Sequence, residues 1–388
     1  MNITYEARGV SPDKPDVKAA VAQLDKGLFP GAFCHAMPDI LGGSPDHCIL
    51  SHADGAGTKS ILAYLHYKQH GDPKIFRGIA QDSLVMNTDD LLCVGALGPF
   101  MLSNTIGRNK MLIPGEIVTE IVTGYKQVVE MLGGHGVEIV IAGGETADVG
   151  DLVRTVIVDS TLTVRMRQAD FIDAAQVKPG QVIVGLASDG QATYEDRPNS
   201  GIGSNGITAI RHEMLDLSYR DYTEAYAPEI SHLAYVGQYA LTDAAPGLNM
   251  TIGEALLSPT RTYAPVIKAI LSEGREDISA IFHNTGGGQT KCLNFGSGIR
   301  YVKDDIFPEA PLFKLIRETR ALPYREMLRT FNMGYRMEIV CDESRAASII
   351  AHAKRFGIAA KIYGRTEKSA GANELIVTTP EGTITFPT

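Results

Sequence analysis

"SHADGAGTKS", residues 51–60, decides how the first half of the chain is read. It has the look of a phosphate loop, but a P-loop needs G-x-x-x-x-G-K-[ST] with the lysine directly after the second glycine. Thr58 separates Gly57 from Lys59, and no glycine stands where the first would have to be. The pattern fails. What remains is Asp54, Gly55, Gly57, Thr58 and Lys59 between an apolar run ("HCILS") and a helix-like run ("KSILAYLHYKQH"). The glycines would let backbone approach a phosphate, and a helix start offers free N–H groups. Asp54 would repel phosphate unless a magnesium ion stood between them. An Asp-Gly turn with a helix cap explains the same residues, and this stretch alone leaves both open.

Working outward, the flanks alternate strand and helix patterns. "RGIAQDSLVMNTDDLLCVGA" and "PGEIVTEIVTGYKQVVEML" read as helices, the second followed by Gly133-Gly134. "VEIVIA" reads as a buried strand ending at Gly143-Gly144-Glu145. In "TVIVDSTLTVRM" the residues Val156, Val158, Leu162, Val164 and Met166 alternate with polar ones, so one strand face is buried and the wetter one is expected to meet a partner chain. A second module begins near "VKPGQVIVGLASDG", which sets a boundary at 171/172: residues 1–171 and 172–388. The fold class expected is mixed α/β, of the α+β type, in two domains.

Composition limits the options. The chain has 388 residues, 44% hydrophobic and 21% charged, enough for two or three cores. A net charge of -9 argues against an unaided nucleic-acid or anionic-membrane binder. The five cysteines (34, 48, 93, 292, 341) are scattered, with no C-x-x-C pair, so no disulfide framework or zinc site is expected. The opening residues lack a basic-then-apolar signal, and no apolar run approaches the ~18 residues of a membrane span. A cytoplasmic protein is the expectation.

Three further segments join acids or hydroxyls to glycines at strand–helix junctions, where α/β proteins bind ligands. In "QDSLVMNTDD", Asp82 and Asp89 share a helix face and Asp90 lies about a hundred degrees round. Acids on an apolar helix need solvent or a cation, and plain exposure of Asp89 and Asp90 is the simpler account. "GGETAD" sets Glu145 after Gly144, expected at the same sheet edge as Asp54. "GIGSNG" (201–206) and "HNTGGGQTK" (283–291) suit anion binding by backbone amides; a lone His283 is more often structural than catalytic.

Together, "DGAGTK", "D-x6-DD", "GGETAD", "SNG", "LLSPTRTY", "H-x-TGGG" and "RTFNMG", in that order over roughly residues 48–364, resemble the aminoimidazole ribonucleotide synthetase (phosphoribosylformylglycinamidine cyclo-ligase) family. The resemblance implies a homodimer whose N-terminal domains share a β-barrel. It also implies ATP-driven ring closure of formylglycinamidine ribonucleotide, through a phosphorylated amide, in purine biosynthesis. Asp54, Asp90 and Glu145 would then hold Mg²⁺, and Gly55, Gly57, Thr58, Lys59 and Gly144 would lie at ATP. Ser204, Asn205, Gly206, Thr285, Gly286, Gly287 and Gly288 would cradle a phosphate group. Lys59 and His283 would be the catalytic side chains.

The chain departs from the family pattern in several places. Asp89 replaces the usual Asn, adding a charge beside the proposed metal, and Gly203 replaces a His before "SNG". The N-terminal glycine loop is replaced by "LFPGAFCHAMPDILGG". "DGQATYEDRPNSGI" is inserted, with Glu195, Asp196 and Arg197 as candidates to restore the lost contact, and the segment 215–248 is long. Sister families fit less well: no cysteine sits in a reactive N-terminal or C-terminal setting. A catalytically divergent nucleotide-binding regulator of the same fold, or a sister amide-activating enzyme, is the alternative.

Overall fold

The computed structural model describes residues 6–8, 16, 19, 20 and 22–387; most of the opening stretch read for a targeting signal lies outside the described residues. The first sheet contains β1 (Met37–Pro38), β2 (His47–Gly55), β3 (Phe100–Arg108), β4 (Ile139–Asp148) and β5 (Val156–Arg167), in the order β1-β2-β5-β3-β4. β3 and β4 run parallel and the other neighbours antiparallel. Its inner face is covered by α2 (Phe76–Leu92), which lies across β2 and β5, with α1 (Lys59–His70) and α3 (Gly115–Gly134) beside it. α1 begins and ends where "KSILAYLHYKQH" does, closed by Gly71 in the left-handed conformation.

β5 alternates as its sequence predicts: Val156, Val158, Leu162, Val164 and Met166 are buried, while Ile157, Arg165 and Arg167 are exposed. β4 corrects the reading of a buried strand. It runs on through the glycines to Asp148 and is mostly exposed, because it is the sheet edge and, among the described residues, no helix covers its outer face. Val140 is 50% and Ile141 43% exposed, next to Met101 of β3 at 52%. An apolar run shows that a strand wants burial, not what supplies it.

The second sheet is built from β6 (Val182–Ala187), β9 (Ile278–His283), β10 (Ile299–Lys303), β11 (Tyr335–Cys341), β12 (Ala360–Lys368), β13 (Glu374–Thr379) and β14 (Gly382–Pro387), in the order β14-β13-β10-β12-β6-β11-β9. β7 (Asp189–Gly190) and β8 (Asn199–Ser200) pair at the base of the insertion. The helices are α4 (Ile207–Met214), α5 (Ile252–Leu256), α6 (Ala264–Glu273), α7 (Pro311–Arg320), α8 (Tyr324–Thr330) and α9 (Glu343–Arg355). Inside this unit the Lys303 ammonium meets Glu338 at 2.6 Å, both side chains essentially without solvent. Asn284 and Gln289 bind the same two groups, so the pair also anchors the turn after β9.

The tyrosine-rich segment 215–248 folds as short 3₁₀ turns around a polar core. Arg211 donates to the Tyr235 hydroxyl (2.7 Å) and the Ala225 carbonyl (2.6 Å), and Tyr219 and Tyr235 are fully buried. His212 is buried beside them, and its Nε2 has no partner. Burial first, then the positive charges of Arg211 and Arg8, press its pKa down to about 2. The folded protein therefore holds His212 neutral while the unfolded chain protonates it near pH ~6.5. The unfolded state binds the extra proton, so stability is full above that pH and falls as pH drops toward the folded value. The midpoint temperature should fall between pH 7 and pH 5, and His212→Gln should flatten that slope; an unchanged slope would remove His212 from the acid response.

Candidate active site

Strand β2 delivers Asp54 and Gly55 to the rim between the two sheets. Gly55 sits opposite Asp159 of β5, and a Cβ there would come within 1.8 Å of the Asp159 carboxylate, so only glycine fits. Gly57 follows with φ +59° and open space above it. Thr58, at the start of α1, meets Thr208 of α4 hydroxyl to hydroxyl at 2.7 Å. α4 itself starts at Gly206 (φ +80°), where a Cβ would strike the Phe331 ring. The Asp54–Thr58 loop and the Ser204–Gly206 loop thus come from different sheets and meet where Thr58 touches the first turn of α4. Gly286 lies beside Asn205, and Gly288 (φ +51°) tucks under the Leu328 and Phe331 carbonyls, which adds the third loop.

Lys59 faces the interior. Its Nζ donates to Asp82 Oδ1 (2.8 Å) and the Ser258 carbonyl (2.6 Å), with no side-chain exposure. Thr260 also gives Asp82 Oδ1 its N–H (2.8 Å) and hydroxyl (2.6 Å). Burial pulls the Lys59 pKa down and Asp82 opposes it. Asp89 is buried too, against the expectation of an exposed or metal-facing charge: Thr262 Oγ1 (2.8 Å) and the Tyr263 N–H (3.0 Å) donate to its carboxylate. Burial raises its pKa, although His283 and Arg336 lie close enough to oppose the rise.

Asp90 collects two imidazoles. His283 Nδ1 lies 2.7 Å from Oδ1, and His52 Nε2 lies 3.3 Å from Oδ2. Arg336 Nε donates to His283 Nε2 (3.1 Å), so partner assignment puts the His283 proton on Nδ1. His52 Nδ1 faces Asn87 Oδ1 at 2.9 Å. Asn87 donates its NH₂ to the carbonyls of Ser83 (2.9 Å), Asp54 and Ser160 (both 3.1 Å), which fixes its oxygen toward His52. Both His52 nitrogens thus face acceptor oxygens, an arrangement that favours the imidazolium. Burial alone would lower its pKa, but Asp90 and Asn87 outweigh that and raise it. For Asp90, burial is likewise overcome by the two histidines, and the carboxyl stays well below its ordinary value.

Asp54 is exposed at the rim and accepts the Gly55 N–H at 2.7 Å. Desolvation there, and then the Asp90 carboxylate, raise its pKa; Asp159 is raised by desolvation and by Asp54. Glu145 is elsewhere, which corrects the expectation of one shared edge. It is level with Gly55 along the row Gly55, Asp159, Thr105, Glu145, three strands away, or about 14 Å at ~4.8 Å per strand. Strand alternation also puts it on the sheet face opposite Asp54. Among the described residues, no three His, Cys, Asp or Glu side chains are grouped as a metal centre. Gly144 packs against Asn104, which leaves no room for a side chain there.

Sequence reading missed His52, Asn87, Thr208 and Arg336. A histidine two residues before Asp54, on the same strand face, was the available signal for the first. Glu195 does not reach Gly203: it pairs with Arg261 at 2.5 and 2.9 Å, while Asp196 and Arg197 line a separate cleft of about 720 Å³ against α2 and α3.

The sequence matches the pattern of "AIR synthase related protein, N-terminal domain" over residues 35–165 and of its C-terminal domain over residues 178–374. The chain belongs to the AIR synthase related family. A phosphoribosylformylglycinamidine cyclo-ligase of Methanocaldococcus jannaschii is 28% identical over 96% of this chain and 94% of that protein. Another, from Desulfotalea psychrophila, is 28% identical over 97% of both. Among solved structures, the HypE–HypF complex contains a chain that matches 97% of this one and 99% of its own length (TM-score 0.56, 14% identity). The tt0281 protein of Thermus thermophilus matches 96% and 97% (TM-score 0.51, 15% identity). These two share the fold.

The family segment "LLSPTRTY" thus acts through α2, since Ser258, Thr260, Thr262 and Tyr263 satisfy the helix's buried charges. Asp82→Asn would leave the Lys59 ammonium buried without a countercharge. It should cost about 3–5 kcal/mol in chemical denaturation. Lys59→Met combined with Asp82→Asn should cost clearly less than Asp82→Asn alone; equal losses would show that the ion pair is not what is being read.

Proposed function

We propose that this chain closes the imidazole ring of formylglycinamidine ribonucleotide with ATP, giving aminoimidazole ribonucleotide, ADP and phosphate. The observation that carries the reading is the meeting of three glycine loops from the two halves of the chain, joined by Thr58 and Thr208. Similarity to cyclo-ligases along nearly the whole chain supports it. In this reading the γ-phosphoryl group passes to the amide oxygen, the amidine nitrogen attacks the activated carbon, and phosphate leaves with that oxygen. Such chemistry needs positioning and charge neutralisation more than a protein nucleophile, and the described residues here bring together loops and acids.

The residues present fit a Mg²⁺ ion. Asp54 is a hard oxygen donor whose pKa is raised by desolvation and then by the Asp90 carboxylate, and a cation would relieve that crowding. Mg²⁺ would neutralise phosphate charge when bound. Asp54 is the proposed ligand at the rim, with Asp90 behind it in an imidazole cage. Lys59, held by Asp82, is assigned to fixing α1 under the loop rather than to touching phosphate. His283, with both nitrogens engaged, is assigned to holding Asp90. Gly55, Gly57 and Thr58 are placed at ATP, and residues 204–206 and 285–288 at the ribonucleotide phosphate.

The homodimer belongs to the same proposal, with the two units taken as 1–171 and 172–388. The outer face of β3, β4 and β5, with Met101, Val140 and Ile157 exposed on it, supports a shared barrel between two copies. Glu145 lies on that face, so it remains a metal ligand only if pairing brings it to a cleft. Five free, buried cysteines fit a reducing cytoplasm. Among the described residues, no helix is long and apolar enough to cross a membrane.

Incubation with formylglycinamidine ribonucleotide, ATP and Mg²⁺ should give ADP and aminoimidazole product in equal amounts. ADP without product would send the assignment to another amide. Asp54→Asn should lower kcat/KM on the order of 100-fold without moving the unfolding midpoint by more than a few degrees; full activity would end its assignment to the metal.

A further inference from the structure

Beyond His283, the chain of contacts that begins at Asn87 ends on a cation with an empty arm. Arg336 of β11 is 1% exposed. Its Nε donates to His283, and its Nη2 to the Arg261 carbonyl. The guanidinium lies over the Tyr263 ring, 5.2 Å from its centre. Nη1 is buried and has no partner. A buried charged donor left unpaired is costly, so it calls for an acceptor that binds there.

Its direction is set by its neighbour. A Cβ built on Gly203 would stand 3.9 Å from Arg336 Cδ and 4.0 Å from Nη1, so the guanidinium borders bare backbone at the start of the first glycine loop. Gly203, Asn205, Asn284, Asn332 and Arg336 line a small pocket there, about 10 Å³, room for roughly one oxygen atom. Two more buried polar atoms in these loops lack partners: Ser204 Oγ and Asn284 Oδ1. The 204–206 loop then opens into the start of α4, whose free N–H groups favour an anion.

We propose that Arg336 is a specificity residue for the phosphate monoester end of the substrate, donating from Nη1 to one phosphate oxygen seated between residues 203–206 and 285–288. From β11 it supplies the polar contact that Gly203 lacks. Asp90, through His283, acts as the positioning pair that holds the guanidinium in place. The proposal rests on the reading of a ribonucleotide substrate, but it is tested by binding, so it can fail separately from that reading.

The test uses the full chain with inorganic phosphate, ribose 5-phosphate and ADP as probes, read by calorimetry and thermal shift. Wild type should bind ribose 5-phosphate. Arg336→Gln should weaken that binding about tenfold or more, with ADP affinity nearly unchanged, and Arg336→Lys should recover part of the loss. Where turnover is measurable, KM for the ribonucleotide should rise more than KM for ATP. Gly203→Ala puts a methyl group about 4.0 Å from Nη1 at a position with ordinary φ and room for a Cβ, so it should reproduce the loss without touching Arg336; it decides the matter if Arg336→Gln does not fold. Four results would overturn the proposal: no binding of either phosphate probe to wild type, unchanged binding in Gly203→Ala, unchanged binding in Arg336→Gln (the mark of a buried water as the true partner), or an equal fall in ADP affinity, which would assign the site to ATP.

Discussion

Three carboxylates on one helix cannot be buried unless something answers their charge, and the arrangement of the two sheets follows from that constraint. Asp82, Asp89 and Asp90 all lie on α2, which is packed on the first sheet. Most of their partners come from the second half of the chain: Ser258 and Thr260 around Asp82 and Lys59, Thr262 and Tyr263 for Asp89, His283 for Asp90. Removing a buried charge's partner costs far more than an exposed ion pair is worth. The second unit is therefore tied to the first at a defined place, and the cleft between them has a defined shape.

That joint also sets the electrostatics of the cleft. Asp90 is held ionised by two imidazoles, and after desolvation it is the charge that raises the pKa of Asp54 at the rim. On its other side, the same carboxylate orients His283 and, through it, Arg336. One buried acid thus stands between a proposed metal rim and a guanidinium facing the glycine loops. The Lys303–Glu338 pair plays a similar part beneath the second loop, where it fixes Asn284 next to His283.

The departures from the family pattern fit the same logic. The extra charge at Asp89 is not beside the rim; Thr262 and Tyr263 absorb it. The insertion is tied down by Glu195 on Arg261, and Arg261 in turn offers its carbonyl to Arg336. Gly203 and the Arg336 guanidinium occupy adjacent space, although they lie 133 residues apart.

Local patterns were legible in the sequence: the helix that begins at Lys59, the alternating face of β5, the glycine turns at 57, 206 and 287, and the order of motifs that marks the family. These depend on neighbours in the chain, through backbone periodicity and the φ angles only glycine adopts easily. The edge position of β4 was not legible, nor was the face on which Glu145 falls, because an apolar strand reads alike whether a helix or a second copy covers it. The inward turn of Lys59 and the double imidazole at Asp90 were hidden for a related reason. A side chain near a glycine loop can point to ligand or to core, and the choice depends on which distant group stands opposite. The sequence by itself determined the elements, the loops and the kinship; only the tertiary structure decided which charges pair with one another and which are left for a ligand, since pairing is set by distance in space.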